Sequence, residues 1–334
     1  MVRVAVDALG GDRAPEEVVA GALEAASGDV LPVLYGPAGL DTGGLPLVET
    51  TQEIAMDEKP ADSVRGKPDS SLVRACRAVG EGEADAVLSA GNTGAMLAAG
   101  LLEIRRLHGV MRPAIAVVIP SRRGPSVLID SGANADARPE HLLQFAHMGA
   151  ILAEEVLERP KPSVGLLSIG EEPEKGNALT LEAHSLLAAS GLPFAGNVES
   201  RSLLEGAADV VVTDGFTGNV SLKLLEGTIR SVLDALREEI AATARGKAGG
   251  LLIRPAARGL RARLDPDTYG GAYLLGLRGL SVIAHGNSSR TAIANAIRLA
   301  ARGVHHRVVE RLGERIAERV VASARSRGPD DGMR

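Results

Sequence analysis

The 334-residue sequence has no tryptophan, three phenylalanines, three tyrosines and one cysteine. Aromatics make up 2% and apolar residues 45% of the chain. The core must therefore be built from Ala, Val, Leu and Ile, which suits a sheet covered by helices on both faces. So few flat rings exclude recognition of single-stranded nucleic acid by base stacking. A net charge of −5 argues against any nucleic-acid partner. The lone Cys76 rules out an internal disulfide, and no histidine is patterned with it, so it reads as a packed thiol. No apolar run approaches the roughly 18 residues that would suggest a membrane span. The opening MVRVAVDALGG runs into a strand without the basic and apolar regions of a secretion signal. The expectation is a cytoplasmic protein, associated at most peripherally with the inner face of the cell membrane.

Two motifs are also missing. Without G-x-G-x-x-G no nicotinamide cofactor is expected, and without G-x-S-x-G or a Cys-His pattern no nucleophilic side chain is expected. Asp130 and Asp136 lack a third ligand at a useful spacing, so a hydrogen-bonded turn is expected there rather than a metal.

What is present is an echo. Residues 84–95 read ADAVLSAGNTGA and residues 208–219 read ADVVVTDGFTGN, 124 residues apart. Each is a short strand-like run, β-branched throughout at Val210, Val211 and Val212, then a Gly-rich turn and a helix. Such turns can arise because two crossovers need the same turn chemistry. They can equally aim helix-start N–H groups at an anion, with glycines allowing close approach. The matching T-G offset favours two anion- or carbonyl-binding loops facing one cleft. Asn92, Thr93 and Gly94 belong to the first loop; Asp214, Thr217, Gly218 and Asn219 belong to the second. Lys223, one turn into the second helix, adds a positive charge.

Val2 to Val6 is a strand ending in Asp7 and the Gly10-Gly11 turn, with Pro15 opening a helix. Asp7 at a strand's carboxyl end is where open α/β sheets hold ligands. Leu31 to Tyr35 and Leu45 to Val48 read as strands, 52–70 as a loop or short helix, and Ser70 to Gly80 as a helix. Ala114 to Ile119 and Ser126 to Ile129 read as a hairpin, which makes the sheet mixed. The second of these strands ends at Asp130 and Asn134, and Pro139 opens a long helix. Ser163 to Ser168 precedes a charged loop in which Lys175 and Asn177 either face the cleft or are simply solvated. Phe194 to Glu199 is a further short strand, and residues 274–277 read as a short apolar segment. Leu280 to Ala284 is the last strand, ending in His285 and Gly286, with His285 placed for acid–base chemistry. From Arg245 to Leu264 six basic residues interleave with leucines and no acid. Leu251, Leu252, Ile253, Arg254, Arg258 and Arg261 form either a membrane- or carrier-facing surface or one side of an ordinary surface helix pair. The fold class expected is α/β, three-layer α/β/α with a mostly parallel, mixed sheet. One two-lobed catalytic domain over 1–326 and a flexible tail at 327–334 are expected.

The segments VDALGGDRAP, SAGNTGA, DSGANAD, EKGNALT, TDGFTGNVSLKLLEG, YGGAYLLGL and AHGNSS, in that order, resemble one family. It is that of the bacterial phosphate acyltransferases, which convert acyl-acyl carrier protein and inorganic phosphate to acyl phosphate for phospholipid synthesis. One departure is visible, at Ser200 and Ser202, where the family pattern is closer to N-V-E-G-R-D. The resemblance implies a fold similar to isocitrate and isopropylmalate dehydrogenases and to phosphotransacetylases. It also implies a homodimer, no cofactor, peripheral membrane association, and delivery of acyl phosphate to a membrane glycerol-3-phosphate acyltransferase.

Phosphate is already an anion near neutral pH, so the chemistry asks for charge stabilisation and positioning more than for a base. Thr217, Gly218, Asn219 and Lys223 are assigned to phosphate or oxyanion, with Asn92 and Thr93 on the opposite wall. His285 is assigned to phosphate orientation or leaving-thiolate protonation, and Asp214 to orienting Lys223 or His285. Competing readings are a phosphotransacetylase using acyl-CoA, a dehydrogenase on the related fold, and a non-catalytic membrane-recruitment module.

Overall fold

Short apolar runs of the sequence become strands of one eleven-stranded sheet in a computed structural model of the protein, which describes residues 1–264 and 268–316. The expected tail at 327–334 lies outside the described residues, as does the side chain of Arg261. In chain order the strands are β1 (Val2–Asp7), β2 (Val30–Gly36), β3 (Leu47–Glu49), β4 (Ala86–Ser89), β5 (Ala114–Ile119), β6 (Ser126–Ile129), β7 (Val164–Ser168), β8 (Phe194–Glu199), β9 (Val210–Val212), β10 (Ala272–Leu275) and β11 (Leu280–Ile283). Their spatial order is β3-β2-β1-β4-β11-β10-β5-β6-β9-β7-β8.

Two parallel blocks make up this sheet. One runs from β3 to β11 and the other from β6 to β8. Between them the pairs β11–β10, β10–β5 and β5–β6 are antiparallel, so direction reverses three times and the blocks run opposite ways. The hairpin read from SRRGP is the last reversal. β10 is a strand that the sequence showed only as a short apolar segment, and β3 is set slightly later than Leu45 to Val48.

Side chains alternate across the sheet, as strand geometry requires. Val4 and Val6 join one core with α1 (Glu16–Ala25) and α9 (Arg290–His305). That core continues to α5 (Pro139–Val156) and α6 (Ala178–Ala188). Ala5 and Val87 face the other way, onto α3 (Ser71–Gly80) and α4 (Thr93–Ala99), with α2 (Pro60–Gly66) beside them. Under the second block that face is filled by Leu128, Val211 and Leu222, the last from α7 (Gly215–Ala241). Scarce aromatics make close approach the rule: a Cβ on Gly21 of α1 would lie 2.6 Å from Ile293 of α9. Cys76 is buried against Met96, and desolvation pushes its thiol far above the usual range, as a packing role demands.

Residues 245–264 belong to one helix, α8 (Ala244–Leu264), which carries Pro255 and packs against α7. Among the described residues no helix is long and apolar enough to cross a membrane.

Candidate active site

The two echoed stretches fold as strand, turn and helix, but their helices start at different points of the motif. In the first, Asn92 is the N-cap, its Oδ1 accepting from the Ala95 N–H, so Thr93 and Gly94 open α4. In the second, Asp214 caps, accepting from the Thr217 N–H, so α7 begins two residues earlier relative to the motif. The cause is which residue can cap: Ala90 stands where Asp214 does, and Phe216 where Asn92 does. The extra half-turn rotates Thr217 away and brings Asn219 round to the position facing the sheet centre.

A hollow of about 320 Å³ lies over the antiparallel middle of the sheet. Its floor is Ile115, Val117 and Ile119 of β5, Ala272 of β10 and Ile283 of β11. Gly91 and Thr93 form one wall; Asn219, Lys223 and Glu226, on one stripe of α7, form the other. His285 and Gly286 close it from the end of β11, with Met56, Ser131, Gly132 and Tyr269 also on its rim. His285 Nε2 lies 3.2 Å from Glu226 Oε1. That oxygen is wholly shielded and has no aligned hydrogen bond, so the contact is an ion-pair distance and is strong only with a protonated imidazole.

Most of the other candidates build the frame of this hollow. Three N–H groups at the start of α7 are already taken: Gly215 donates to Asn134 O, Thr217 to Asp214 Oδ1 and Gly218 to Asp214 O. The side chains of α7, not these backbone groups, therefore face the hollow. Gly218 is where the helix seats, since a Cβ there would lie 1.9 Å from Asp130 O. Gly94 is close-packed likewise, with a Cβ position 2.6 Å from Pro60. Gly10 presses on Gly91 and Asp7, and Gly11, at φ +117°, is part of a turn in which Asp12 N donates to Gly286 O. Lys175 and Asn177 are exposed on the far block, where Asn177 caps α6; they do not line the hollow. Ser200 and Ser202 fall in a short 3₁₀ turn after β8, also away from it.

Two buried carboxylates tie the frame together. Asp7 accepts from the hydroxyls of Ser71 (2.6 Å) and Ser89 (2.7 Å) and, at 3.4 Å, from the Leu9 N–H. Asp130 accepts from the N–H groups of Ile115, Gly132, Ala133 and Asn134 and from Asn134 Nδ2. Burial pushes both carboxyls up from their ordinary value, against the pull of these donors. Asp130 is thus the hydrogen-bonded turn that the sequence suggested.

Sequence reasoning passed over Glu226, Met56 and Tyr269. Glu226 was legible: it lies three residues after Lys223, so any helix that presents the lysine presents the glutamate beside it. Met56 and Tyr269 sit in irregular segments with no periodicity to place them.

Of the six residues expected to contact membrane or carrier, Leu251, Ile253, Arg254 and Arg258 border a larger hollow between α7 and α8. Leu252 points outward, 84% exposed.

The smaller hollow thus gathers an amide (Asn219), an ammonium (Lys223) and an imidazole (His285) over the middle of a mixed α/β sheet. Residues 2–311 match the family described as fatty acid synthesis protein. A phosphate acyltransferase of Heliobacterium modesticaldum is 46% identical over 320 residues, covering 92% of this chain and 96% of that one. The chain belongs to this phosphate acyltransferase family and is an acyltransferase. In fold it is similar to a branched-chain phosphotransacylase from Enterococcus faecalis V583, with TM-score 0.59, 17% identity, and coverage of 92% of this chain and all of that one. It is also similar to a 4-hydroxythreonine-4-phosphate dehydrogenase from Klebsiella pneumoniae, with TM-score 0.51, 14% identity, and coverage of 90% and 98%.

The two carboxylates should respond differently to an isosteric amide. The Asp7 partners are mostly hydroxyls, which can turn to accept, so Asp7→Asn should cost less than about 1 kcal/mol. Asp130 meets only N–H donors, and an amide NH₂ would face at least one of them, so Asp130→Asn should cost about 2–4 kcal/mol. Urea denaturation of both variants checks this, and equal losses would contradict the donor accounting.

Proposed function

We propose that this enzyme moves a fatty acyl group from the thioester of acyl carrier protein to inorganic phosphate, giving acyl phosphate for phospholipid synthesis. The observation that carries the reading is the convergence of Asn219, Lys223 and His285 on the hollow opposite Thr93. Lys223 supplies the charge that holds phosphate, and the Asn219 amide and Thr93 hydroxyl orient it. A phosphate oxygen attacks the thioester carbon and the carbonyl oxygen becomes an oxyanion. The C–S bond then breaks, and the thiolate takes a proton from His285. The products are acyl phosphate and the free carrier thiol. No side chain is acylated and no base is required, because the nucleophile arrives as an anion.

The finer fold class we infer is the three-layer arrangement of isocitrate and isopropylmalate dehydrogenases. Opposed parallel blocks joined through antiparallel strands, with helices on both faces, support it. In the same reading residues 1–326 form one two-lobed catalytic unit. The enzyme works as a homodimer beside the inner membrane face and passes its product to a membrane glycerol-3-phosphate acyltransferase. An exposed apolar stripe on α7, Phe216, Val220 and Leu224, supports the dimer, and exposed Leu252 among the bases of α8 supports the membrane contact.

Four measurements test these assignments. Thiol release from acyl carrier protein should depend on phosphate, and Lys223→Ala should lower kcat/KM for phosphate by about 10²-fold or more. Release that ignores phosphate would sink the reading, and faster release from acyl-CoA would reassign the donor. Glu226→Gln should lower kcat by about ten- to a hundredfold with little change in KM for phosphate. Glu226, 3.2 Å from His285 Nε2, is read as the positioning partner of that proton donor, so the loss should vanish with a thiophenyl ester, whose thiolate leaves without a proton; an undiminished loss would remove Glu226 from this role. Leu252→Glu should reduce co-sedimentation with anionic vesicles, and Leu224→Glu should shift sedimentation velocity toward the monomer.

A further inference from the structure

The reaction hollow is small. Its 320 Å³ is at the low end of the range of about 300–1,000 Å³ usual for ligand pockets. Phosphate and a thioester fill such a space, and a long acyl chain must leave it. The second hollow, about 1,230 Å³, lies between α7 and α8 and is bounded by some of the same residues, including Lys223, Leu264 and His285. The two spaces therefore meet at the reacting atoms.

Charged and apolar side chains share its lining, with Asp12, Glu226, Asp234 and Lys247 among the charged ones, and the apolar ones line up on the two facing helices. On α7, Ile229, Leu233 and Ile240 recur at helical spacing; on α8, Ile253, Leu260 and Leu264 answer them. The helices come close near their connection, where a Cβ on Gly250 would lie 2.8 Å from Ile240. Small residues then keep the floor clear, with Ala257 halfway along α8. Arginines border the groove, and such side chains cover apolar surface with their stems while the charges stay in water.

We infer that the α7–α8 groove is the binding site for the fatty acyl chain, with its carbonyl end at Lys223 and His285. This rests on the acyl-to-phosphate reading above and adds where the chain lies. The hollow's continuity with the reaction centre is what selects an acyl chain over a second copy of the protein, which would gain nothing from reaching His285. Each methylene buried there should tighten binding by about fourfold.

The test uses S-dodecyl and S-butyl pantetheine, thioethers that cannot be transferred, with binding measured by calorimetry. Wild type should bind the dodecyl probe far more tightly than the butyl probe. Ala257→Leu should weaken dodecyl binding partially and Ala257→Trp by more than about tenfold, with butyl binding changed less than about twofold. Equal effects on both probes, or none on either, would overturn the groove assignment. Transfer of dodecanoyl and butanoyl groups to phosphate is then measured on the same proteins. A dodecanoyl-selective loss is expected. If wild type transfers neither group while the thioethers still discriminate, the transfer reading fails and the groove stands.

Discussion

Five N–H groups converge on the carboxylate of Asp130, and the position of every reacting side chain on α7 descends from that contact. The carboxylate holds Ile115 at the start of β5 and curls residues 132–134 into a turn. The turn offers Asn134 O to the Gly215 N–H, the first residue of α7, and Asp130 O meets the bare face of Gly218. A helix seated at two points in its first turn has little freedom to rotate. Asn219, Lys223 and Glu226 inherit that fixed direction. The requirement for glycine at 218 is thus one of space rather than of backbone angle, because the residue is helical.

The other half of the molecule reaches the same centre by a different route. Asp7 draws together Ser71 of α3 and Ser89 of β4, and Ser89 Oγ in turn accepts from the Gly91 N–H. The turn before α4 is therefore tied to the turn after β1. Because the sheet reverses direction three times between β11 and β6, the echoed turns belong to opposed blocks and are not related as neighbouring crossovers of one parallel sheet. A single central hollow results, floored by the antiparallel strands.

This geometry shows where sequence reading succeeds and where it stops. The strands were legible from runs of Val, Ile and Leu, and the mixed character of the sheet from one hairpin. The T-G echo was legible as a repeated turn, but the repeat hid a difference. A match in letters does not fix where a helix starts; the nearest side chain able to cap does. Asn92 and Asp214 stand at different offsets, so Thr93 faces the hollow and Thr217 does not, while Asn219 does. Lys175 and Asn177 were grouped with the cleft by composition, but a charged loop carries no signal of which way it faces.

The hollow also has to manage a charge of the wrong sign. Glu226 sits one turn beyond Lys223 on the stripe assigned to hold phosphate, where a free carboxylate would repel it. Its Oε1 is shielded from solvent and lies beside His285 Nε2 at 3.2 Å, so its charge falls first on the imidazole. A reaction whose nucleophile is already anionic gains nothing from a base, and a carboxylate aimed at phosphate would only hinder it. Aimed at the imidazole of His285, the same carboxylate does not confront the anion. In the reaction proposed above, Lys223 is left to meet phosphate and His285 to meet the departing thiolate. The separation rests on which face of one helix each charge occupies, and the Asp130 turn sets that face.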